Sequence, residues 1–515
     1  MRQANLLILN TIVSYLSLAI KIIAGLLTIR FLLAEMGAEN YGIYSTLAAS
    51  SALLSVVQSG VADGARRHMS IEVGTGDTVA LAGVFNSTLV LLACSAIGIL
   101  VLGFSATDFV LSVIEVSPDR LPACRFAYYC SVLSLASISA AIPWQAFLSS
   151  RQQISFLSAI STAQALLTLL GVGLLPIVPG DPIAVYSALV LAVYALTSTA
   201  VCVYCMYGNP PSRPSWSAVD GRKMLSIVKF GGWIVFESVA IALREKGSLV
   251  LLTSSFGPVT TAAYDIALRL GNQFTSLAMT VANAVAPALT NAEGRGDTRF
   301  AIRLGDVLSR YSAHITCAFL VPFLLETSVI LEWVIGASTS EMVVFSRIVM
   351  VSRFVGVLSW GDGIVAKSRN RIALLSLGLT LPFFLAFGFC VFAYRLGNSQ
   401  KILLPVAMLF VTALGSFWFR PWHVRRQSGL AWRTFFDDVI LNVLKSNLPA
   451  ILVAVALHFC FPTGVFRLIV VVFGYSFTAA VFVWKFGISG MERDRFSDLI
   501  RIGMRRMSFL FDKVC

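Results

Sequence analysis

Charged residues are scarce in this sequence: Asp, Glu, Lys and Arg make up 13% of its 515 residues, whereas hydrophobic residues make up 57%. Soluble domains contain about 25% charged residues. The mean hydropathy is +0.82, and apolar runs long enough to cross a bilayer, which takes about 20 residues, recur along the chain. The composition therefore predicts an all-α integral membrane protein and excludes an ordinary soluble domain.

The sequence also lacks the motifs of common catalytic and metal sites. It contains no GxxxxGK[ST] phosphate loop, HExxH zinc motif or GxSxG nucleophile elbow. Its four histidines lie far apart, and Cys202 and Cys205 have CxxC spacing without a second Cys or His pair. The predicted loops are too short for a soluble catalytic domain. We therefore expect no cofactor, no metal and no enzymatic activity.

Loops and charged breaks divide the apolar sequence into about fourteen transmembrane helices. Most Lys and Arg residues fall in alternate loops and in the C-terminal tail, which by the positive-inside rule are cytoplasmic. With an even helix count, both termini of this multi-pass membrane protein lie in the cytoplasm. The net charge of +13 thus orients helices and does not indicate nucleic acid. The predicted spans are 8–33, 41–65, 80–103, 122–147, 154–178, 183–207, 226–256, 262–290, 304–334, 342–366, 372–396, 402–420, 436–460 and 465–487.

A weak internal repeat relates the two halves at an offset of six spans. Each half has a short loop with a glycine before a tyrosine that opens a helix, at Gly37 and Tyr41 and again at Gly257 and Tyr264. Repeated halves are typical of transporters that bind substrate between them. The predicted architecture is two six-helix lobes around a central cavity, with two extra C-terminal helices. The domains are an N-terminal lobe (1–220), a C-terminal lobe (221–434), spans thirteen and fourteen (435–490) and a basic amphipathic tail (491–515), which lies on the inner leaflet or contacts cytoplasmic loops.

Charges within the predicted spans are concentrated in a few helices. A charge at mid-bilayer costs about 2.5–3.5 kcal/mol on insertion scales, so it usually faces a cavity or a partner. Spans three to six hold almost none, whereas spans one, seven and eight hold a positive excess. These helices predict a cavity for an anion. Its candidate substrate-binding residues are Lys21, Arg244, Lys246, Arg269, Asn272 and Arg353, and the candidates for coupling or gating are Asp63, Glu237 and Asp265.

Structural roles remain open for the same residues. Asp265 and Arg269, at positions i and i+4, could form a structural ion pair, and Glu237 and Arg244 could do likewise. For Lys21, Arg244 and Arg269, a role in the cavity is the interpretation that we favour.

The segment Arg244-Glu245-Lys246 poses a geometric problem. On a regular helix, with about 100° per residue, the side chains of Arg244 and Lys246 point about 200° apart. We therefore expect Arg244 to face the cavity and Lys246, with Glu245, to contact neighbouring helices, unless the helix is distorted near Gly247.

The sequence resembles bacterial polysaccharide exporters of the O-antigen flippase type, within the multidrug/oligosaccharidyl-lipid/polysaccharide flippase superfamily. The resemblance is carried by residues 28–33 (TIRFLL), the pattern Gly37-x-x-x-Tyr41-Gly42-x-Tyr44, residues 60–67 (GVADGARR) and the turn Gly76-Asp77. In the second half it is carried by Phe256-Gly257, Tyr264 and residues 267–270 (ALRL). In span seven this sequence has Arg-Glu-Lys where relatives more often have one acidic residue, which puts an ion-coupling role for Glu245 in doubt.

The resemblance implies a cavity built largely from spans one, two, seven and eight, with spans thirteen and fourteen peripheral. It also implies translocation of a lipid-linked oligosaccharide, on a polyprenyl pyrophosphate, by alternating access for cell-surface polysaccharide biosynthesis. A proton or sodium ion could drive the process, and other polysaccharide assembly proteins could be partners. A cation-coupled drug or metabolite antiporter of the same fold is the main alternative, although the positive excess argues against it. A membrane-embedded glycan polymerase is disfavoured by the short outer loops.

Overall fold

A computed structural model describes residues 2–114, 118–208, 210–368, 372–426, 428–488 and 493. All regular secondary structure in these ranges is helical. The predicted tail lies outside them except for one residue. The first ten α-helices are α1 Arg2–Leu53, α2 Val56–Thr75, α3 Thr78–Ser105, α4 Thr107–Ile114, α5 Leu121–Ser150, α6 Ile154–Val172, α7 Pro182–Gly208, α8 Gly221–Ala242, α9 Ser248–Phe256 and α10 Pro258–Gly294.

Ten further α-helices follow in the described residues, and four short π-helical turns interrupt the helical segments. The π-helical turns are Leu243–Gly247, Gly415–Phe419, Phe436–Leu441 and Val483–Gly487. The α-helices are α11 Thr298–Leu325, α12 Thr327–Ile335, α13 Ser340–Val357, α14 Trp360–Ser368, α15 Ile372–Arg395, α16 Leu403–Leu414, α17 Arg420–Arg426, α18 Arg433–Phe435, α19 Asn442–Cys460 and α20 Val465–Phe482.

The predicted all-α membrane fold is confirmed, whereas the count of fourteen spans is not. By length and composition the described residues contain 10 candidate membrane helices, or up to 12 if each of two bent pairs is one span. One reason is that α1 contains the first predicted span and the start of the second, separated only by a bend at Gly37. Another is that α2 carries Asp63, Arg66, Arg67 and Glu72 within 20 residues, which is too polar for an apolar span.

The two copies of the predicted repeat have the same backbone geometry at their glycines. Gly37 has φ 75° and ψ 167° inside α1, and Gly257 has φ 84° and ψ 173° before α10. The downstream turns match as well, because Gly76 and Gly296 both have φ 77°. These positive φ values favour glycine, since a Cβ would be strained there. The glycines thus bend the chain at equivalent places in both halves.

The turns that follow are capped in the same way. The Asp77 carboxylate accepts hydrogen bonds from the backbone N–H groups of Val79 and Ala80 at the start of α3. The Asp297 carboxylate accepts one from the N–H of Phe300 at the start of α11. An N-cap aspartate satisfies helix donors that have no partner within the helix, so the Gly-Asp pair ends one helix and starts the next.

The chain divides into two compact units. The first unit comprises Met1–Leu270, Leu331–Ile348 and Ile372–Val411, and the second comprises Gly271–Ile330, Val349–Arg371 and Thr412–Cys515. These boundaries follow contacts in space, and the predicted division into lobes at residue 220 stays a prediction. In the first unit, a buried core that includes Phe85, Trp144 and Phe147 joins α2, α3, α5, α7 and α8.

In the second unit, α19 and α20 pack against α11 around buried residues that include Cys317, Phe435 and Tyr475. The Tyr475 hydroxyl donates to Asn447 Oδ1 at 2.7 Å, and the Asn447 amide lies 3.0 Å from His314 Nδ1 on α11. Spans thirteen and fourteen therefore contribute to the buried core of this unit, and their expected position at the periphery of a cavity stays a prediction.

In the first unit, α2 packs closely against α8 through glycines. A Cβ atom on Gly231 would lie 2.6 Å from the carbonyl oxygen of Gly60, and one on Gly60 would lie 2.5 Å from the carbonyl oxygen of Gly231. The neighbouring Gly232 has no heavy atom within 4 Å of its Cβ position. The two adjacent glycines of α8 thus differ sharply in their surroundings.

Replacing Gly231 by alanine is expected to destabilise the protein by about 1–3 kcal/mol, because overpacking forces the two backbones apart. Gly232→Ala is the matched control, and it is expected to stabilise the helix by up to about 1 kcal/mol, since alanine has the higher helix propensity. Thermal unfolding of the purified variants in detergent measures both. Equal effects of the two substitutions on thermal unfolding would contradict the close contact between Gly60 on α2 and Gly231 on α8.

Candidate functional site

A buried carboxylate on α10 is the centre of the polar cluster in the first unit. Asp265 is 3% exposed, and its Oδ2 accepts three hydrogen bonds. The donors are the Tyr41 hydroxyl at 2.7 Å, the Ser45 hydroxyl at 3.0 Å and Nε of Arg269 at 2.7 Å. Two of these donors, Tyr41 and Ser45, lie on the part of α1 that follows the bend at Gly37. The bend and the start of α10 therefore together assemble the cluster.

Arg269 lies one helical turn from Asp265 and is only partly covered. The sequence analysis left open whether the two form a structural ion pair, and the structure contains that pair. However, 43% of the Arg269 side chain is exposed, compared with 4% for Asp265. The guanidinium also lies 6.0 Å from the ring centre of Tyr41. Asp265 therefore fixes one edge of the guanidinium, and the remainder of the side chain is accessible.

Aromatic side chains border this cluster. The rings of Tyr44 and Tyr186 are in edge-to-face contact with centroids 4.8 Å apart, and both tyrosines are buried. Both lie within electrostatic range of Arg269. A tyrosine presents an apolar ring and a polar hydroxyl, which suits a boundary between a charged site and an apolar environment.

The charged segment of span seven forms a π-helical turn, Leu243–Gly247. Such turns are inserted singly into α-helices, frequently at functional sites, and they alter the direction of the side chains. Nη2 of Arg244 lies 3.6 Å from Oε1 of Glu245, and its guanidinium lies 5.6 Å from the ring centre of Phe383 on α15. The distortion that the sequence analysis allowed near Gly247 is therefore present.

The side chain of Lys246, in the same turn, interacts electrostatically with Asp265. The sequence analysis grouped Glu245 with Lys246 and assigned Arg244 to the cavity, whereas the structure brings Glu245 to Arg244. The reason is the wider π-helical turn, because a regular 100° step no longer describes these residues. Glu237 is half-buried on α8, and its suggested pairing with Arg244 stays a prediction.

Lys21 contacts a different helix of the first unit. Its Nζ donates to the Ser161 hydroxyl on α6 at 3.2 Å. One turn away along α1, the Ser17 hydroxyl lies 2.6 Å from the hydroxyl of Thr162. Lys21 thus has a polar partner within the helix bundle, as expected for a cation in a membrane-spanning segment.

The other predicted site residues lie elsewhere. Asp63 is paired with Arg66 at 3.0 Å, and both side chains are about half exposed, so this carboxylate has no buried environment. Arg353 and Asn272 belong to the second unit. There the Arg353 side chain lies against Gly271, and Asn272 is exposed.

The second unit contains a buried charge cluster that the sequence analysis missed. Arg425 is completely buried and pairs with Asp362 at 2.7 Å and with Asp306. Neither Arg425 nor Asp306 is among the candidate residues of the sequence analysis.

A second cluster in the same unit surrounds Glu326, which is fully buried. Its Oε1 lies 2.7 Å from Nδ1 of His458, and its Oε2 accepts a hydrogen bond from Nη2 of Arg467 at 2.8 Å. These bonds connect the end of α11 with α19 and α20, so they stabilise the packing of α19 and α20 against α11.

The sequence matches no protein-family model and no curated protein. Solved structures match over most of the chain. The lipid II flippase MurJ in an inward closed conformation has 11% sequence identity and a TM-score of 0.71, covering 96% of this chain and 100% of the other.

Two further matches are multidrug and related transporters. An inward-facing multidrug resistance MATE family transporter of the MOP superfamily has 11% identity and a TM-score of 0.65, covering 81% and 98% of the two chains. A MOP superfamily transporter from Pyrococcus furiosus, described as having a binding pocket of reversed polarity, has 12% identity and a TM-score of 0.61, covering 81% and 94%. The all-helical chain therefore has the fold of the MOP superfamily transporters.

Proposed function

We propose that this chain is a flippase that moves a lipid-linked, anionic oligosaccharide across the bacterial cytoplasmic membrane by alternating access. The observation that carries the proposal is the arrangement around Asp265. A buried carboxylate orients the partly exposed guanidinium of Arg269, with the ammonium of Lys246 nearby. Two cations against one carboxylate leave a local positive excess.

The chemistry of this cluster suits a diphosphate. A guanidinium binds phosphate oxygens through parallel N–H donors, and the lysine adds a second, more adaptable positive charge. Because Asp265 holds Nε of Arg269 at 2.7 Å, the guanidinium is oriented before the substrate arrives, which lowers the entropic cost of binding. Lys21, on α1 against Ser161, could serve the same anion or the glycan hydroxyls.

Energy coupling is proposed to involve Asp265. Three donors converge on its Oδ2, and no described residue donates to Oδ1. A proton or sodium ion at Oδ1 would weaken the hold on Arg269 and so link ion binding to substrate release. The membrane potential also contributes about 2.3 kcal/mol per charge moved through 100 mV.

The alternative is a cation-coupled antiporter of the same fold. A cationic cargo would require acidic groups that are not already neutralised, whereas the described carboxylates Asp265 and Glu245 both have basic partners. The local charge therefore favours an anionic substrate. Localisation to the inner membrane with both termini in the cytoplasm, and cooperation with other polysaccharide assembly proteins, are parts of the same proposal.

Replacing Lys246 by glutamine is expected to lower the rate of flipping about tenfold, because one charged hydrogen bond to the diphosphate contributes about 1.5–3 kcal/mol. The assay reconstitutes the full chain in vesicles with a fluorescent polyprenyl diphosphate that carries a sugar, and follows its exposure to an impermeant quencher. Arg125→Gln is the control, because Arg125 pairs with Asp108 at the exposed surface of the same unit.

The control is expected to flip the probe at the rate of the unmodified protein. If Lys246→Gln has that rate as well, the proposed anion site is wrong. If the unmodified chain moves a cationic dye in exchange for protons and leaves the diphosphate probe in place, the antiporter is the correct function.

A further inference from the structure

An apolar groove runs between α6 and α7 in the first unit. Its volume is about 230 Å³, and its walls include Leu167, Leu170, Leu174, Leu189 and Val193. The hydroxyl of Thr168, which also lines it, is bonded to the carbonyl oxygen of Gln164 at 2.8 Å. The groove therefore presents hydrocarbon to any occupant.

One end of the groove is Tyr186, which also borders the charged cluster. Tyr186 is 4% exposed, and it is one of the residues that line the groove. The ring also contacts Tyr44, and the side chain is within electrostatic range of Arg269 and Tyr41. A single residue thus separates an apolar groove from the residues that we propose to hold the diphosphate.

The helix α6 connects the groove to a second cation. Ser161, which accepts the hydrogen bond from Lys21, and Leu167, which begins the groove, are six residues apart on α6, or about 9 Å at 1.5 Å per residue. The same helix is therefore polar where it meets Lys21 and apolar immediately afterwards. Cations therefore lie near both ends of the groove, Arg269 near Tyr186 and Lys21 near Leu167, and the wall between these ends is apolar.

We propose that the groove between α6 and α7 binds the polyprenyl chain of the substrate while Arg269 and Lys246 hold its diphosphate. The inference rests on the proposed function. Because lipid tails are as apolar as the groove, entry brings no hydrophobic gain, and binding depends on close packing. A chain tethered to a bound head group has a high effective concentration at the groove, whereas an ordinary phospholipid lacks that tether.

Substitution of Gly171 by a larger residue is a direct way to narrow the groove. It lies in the groove wall, and the nearest heavy atom to its Cβ position is Cβ of Leu189 at 3.7 Å. One added carbon therefore fits, and a longer side chain extends into the groove. Gly98, which lines a separate apolar groove beside α3 and has no heavy atom within 4 Å of its Cβ position, is a matched site for the same substitution.

The experiment compares two probes on the full chain in lipid nanodiscs: undecaprenyl diphosphate, with a long chain, and geranyl diphosphate, with a short one. Gly171→Leu is expected to weaken binding of the long probe about tenfold, or about 1.4 kcal/mol, and to leave the short probe unchanged. Gly98→Leu is expected to change neither affinity. In a second measurement, undecaprenyl diphosphate with a photoreactive chain end is expected to label residues 167–196 of the unmodified protein.

Each outcome has a distinct meaning. If the unmodified chain binds neither diphosphate, the proposed function is wrong, and the groove assignment is wrong with it. If both probes bind but Gly171→Leu keeps the affinity for the long probe and the label falls elsewhere, only the groove assignment is wrong. Displacement of the photoreactive probe by phosphatidylglycerol as readily as by undecaprenyl diphosphate would show an ordinary lipid site and overturn the proposal.

Discussion

Replacing Arg269 by glutamine is expected to reduce flipping of the diphosphate probe about a hundredfold, through the loss of about 3 kcal/mol of charge-assisted hydrogen bonding to phosphate. The same substitution leaves Asp265 buried without its cation. Removal of one partner of a buried ion pair costs about 3–5 kcal/mol of stability, and the exposed face of Arg269 places the cost at the lower end of that range. The effect of the substitution on flipping must therefore be measured separately from its effect on stability.

The double variant Asp265→Asn with Arg269→Gln separates them. It removes both charges, so the free energy of unfolding is expected to recover most of the loss, because asparagine can still accept hydrogen bonds from Tyr41 and Ser45. Flipping is expected to stay low, since the anion-binding guanidinium is absent. Recovery of both stability and flipping in the double variant would show that Arg269 has only a structural role. Vesicle flipping and thermal unfolding in detergent provide the two readouts.

Replacing Arg425 by methionine is expected to cause the largest loss of stability in the second unit. Arg425 is 0% exposed and pairs through Nη1 with Asp362 and through Nη2 with Asp306, which are 2% and 10% exposed. Its guanidinium also lies 5.2 Å from the ring centre of Phe435. Without it, two buried carboxylates face each other, and the expected cost is at least about 3–5 kcal/mol. We expect a strong loss of folded protein in fluorescence-detected size-exclusion chromatography.

The control for this variant is Arg433→Met. Arg433 is 87% exposed and lies 3.7 Å from Asp437, and exposed ion pairs contribute about 0–1 kcal/mol. Combining Arg425→Met with Asp306→Asn and Asp362→Asn is expected to restore much of the folded yield, because no unpaired charge remains buried. An unchanged yield for Arg425→Met alone would mean that the three charges are not buried together in the membrane-embedded protein.

The scarcity of charged residues in apolar spans is what singled out several candidate site residues in the sequence. A charge in an apolar span needs a partner or a cavity, and this argument identified Lys21, Lys246, Asp265 and Arg269. The same argument failed for Arg425, which stands next to Arg426 at the end of a span and has the composition of a loop charge. Burial of that guanidinium depends on Asp306 and Asp362, which are distant in sequence, and no local pattern encodes their meeting.

The sequence also did not indicate that the hydroxyl groups of Tyr41 and Ser45 bond to Asp265. Tyr41 and Ser45 are 224 and 220 residues from Asp265, and neither carries a charge that would single it out. Tyr41 entered the sequence analysis only through the repeat and the resemblance. Its contact with Asp265 requires the bend at Gly37 and the start of α10 to be adjacent in space.

The sequence by itself determined that the protein lies in a membrane, that it is all-helical and that its two halves share the same glycine turns. These follow from local properties, because hydrophobicity over about 20 residues selects a membrane-spanning helix and positive φ values favour glycine. The tertiary structure alone decided which charges meet. In the π-helical turn Leu243–Gly247, Arg244 pairs with Glu245, and Lys246 interacts electrostatically with Asp265. The direction of each side chain depends on the whole turn and on the helices packed around it.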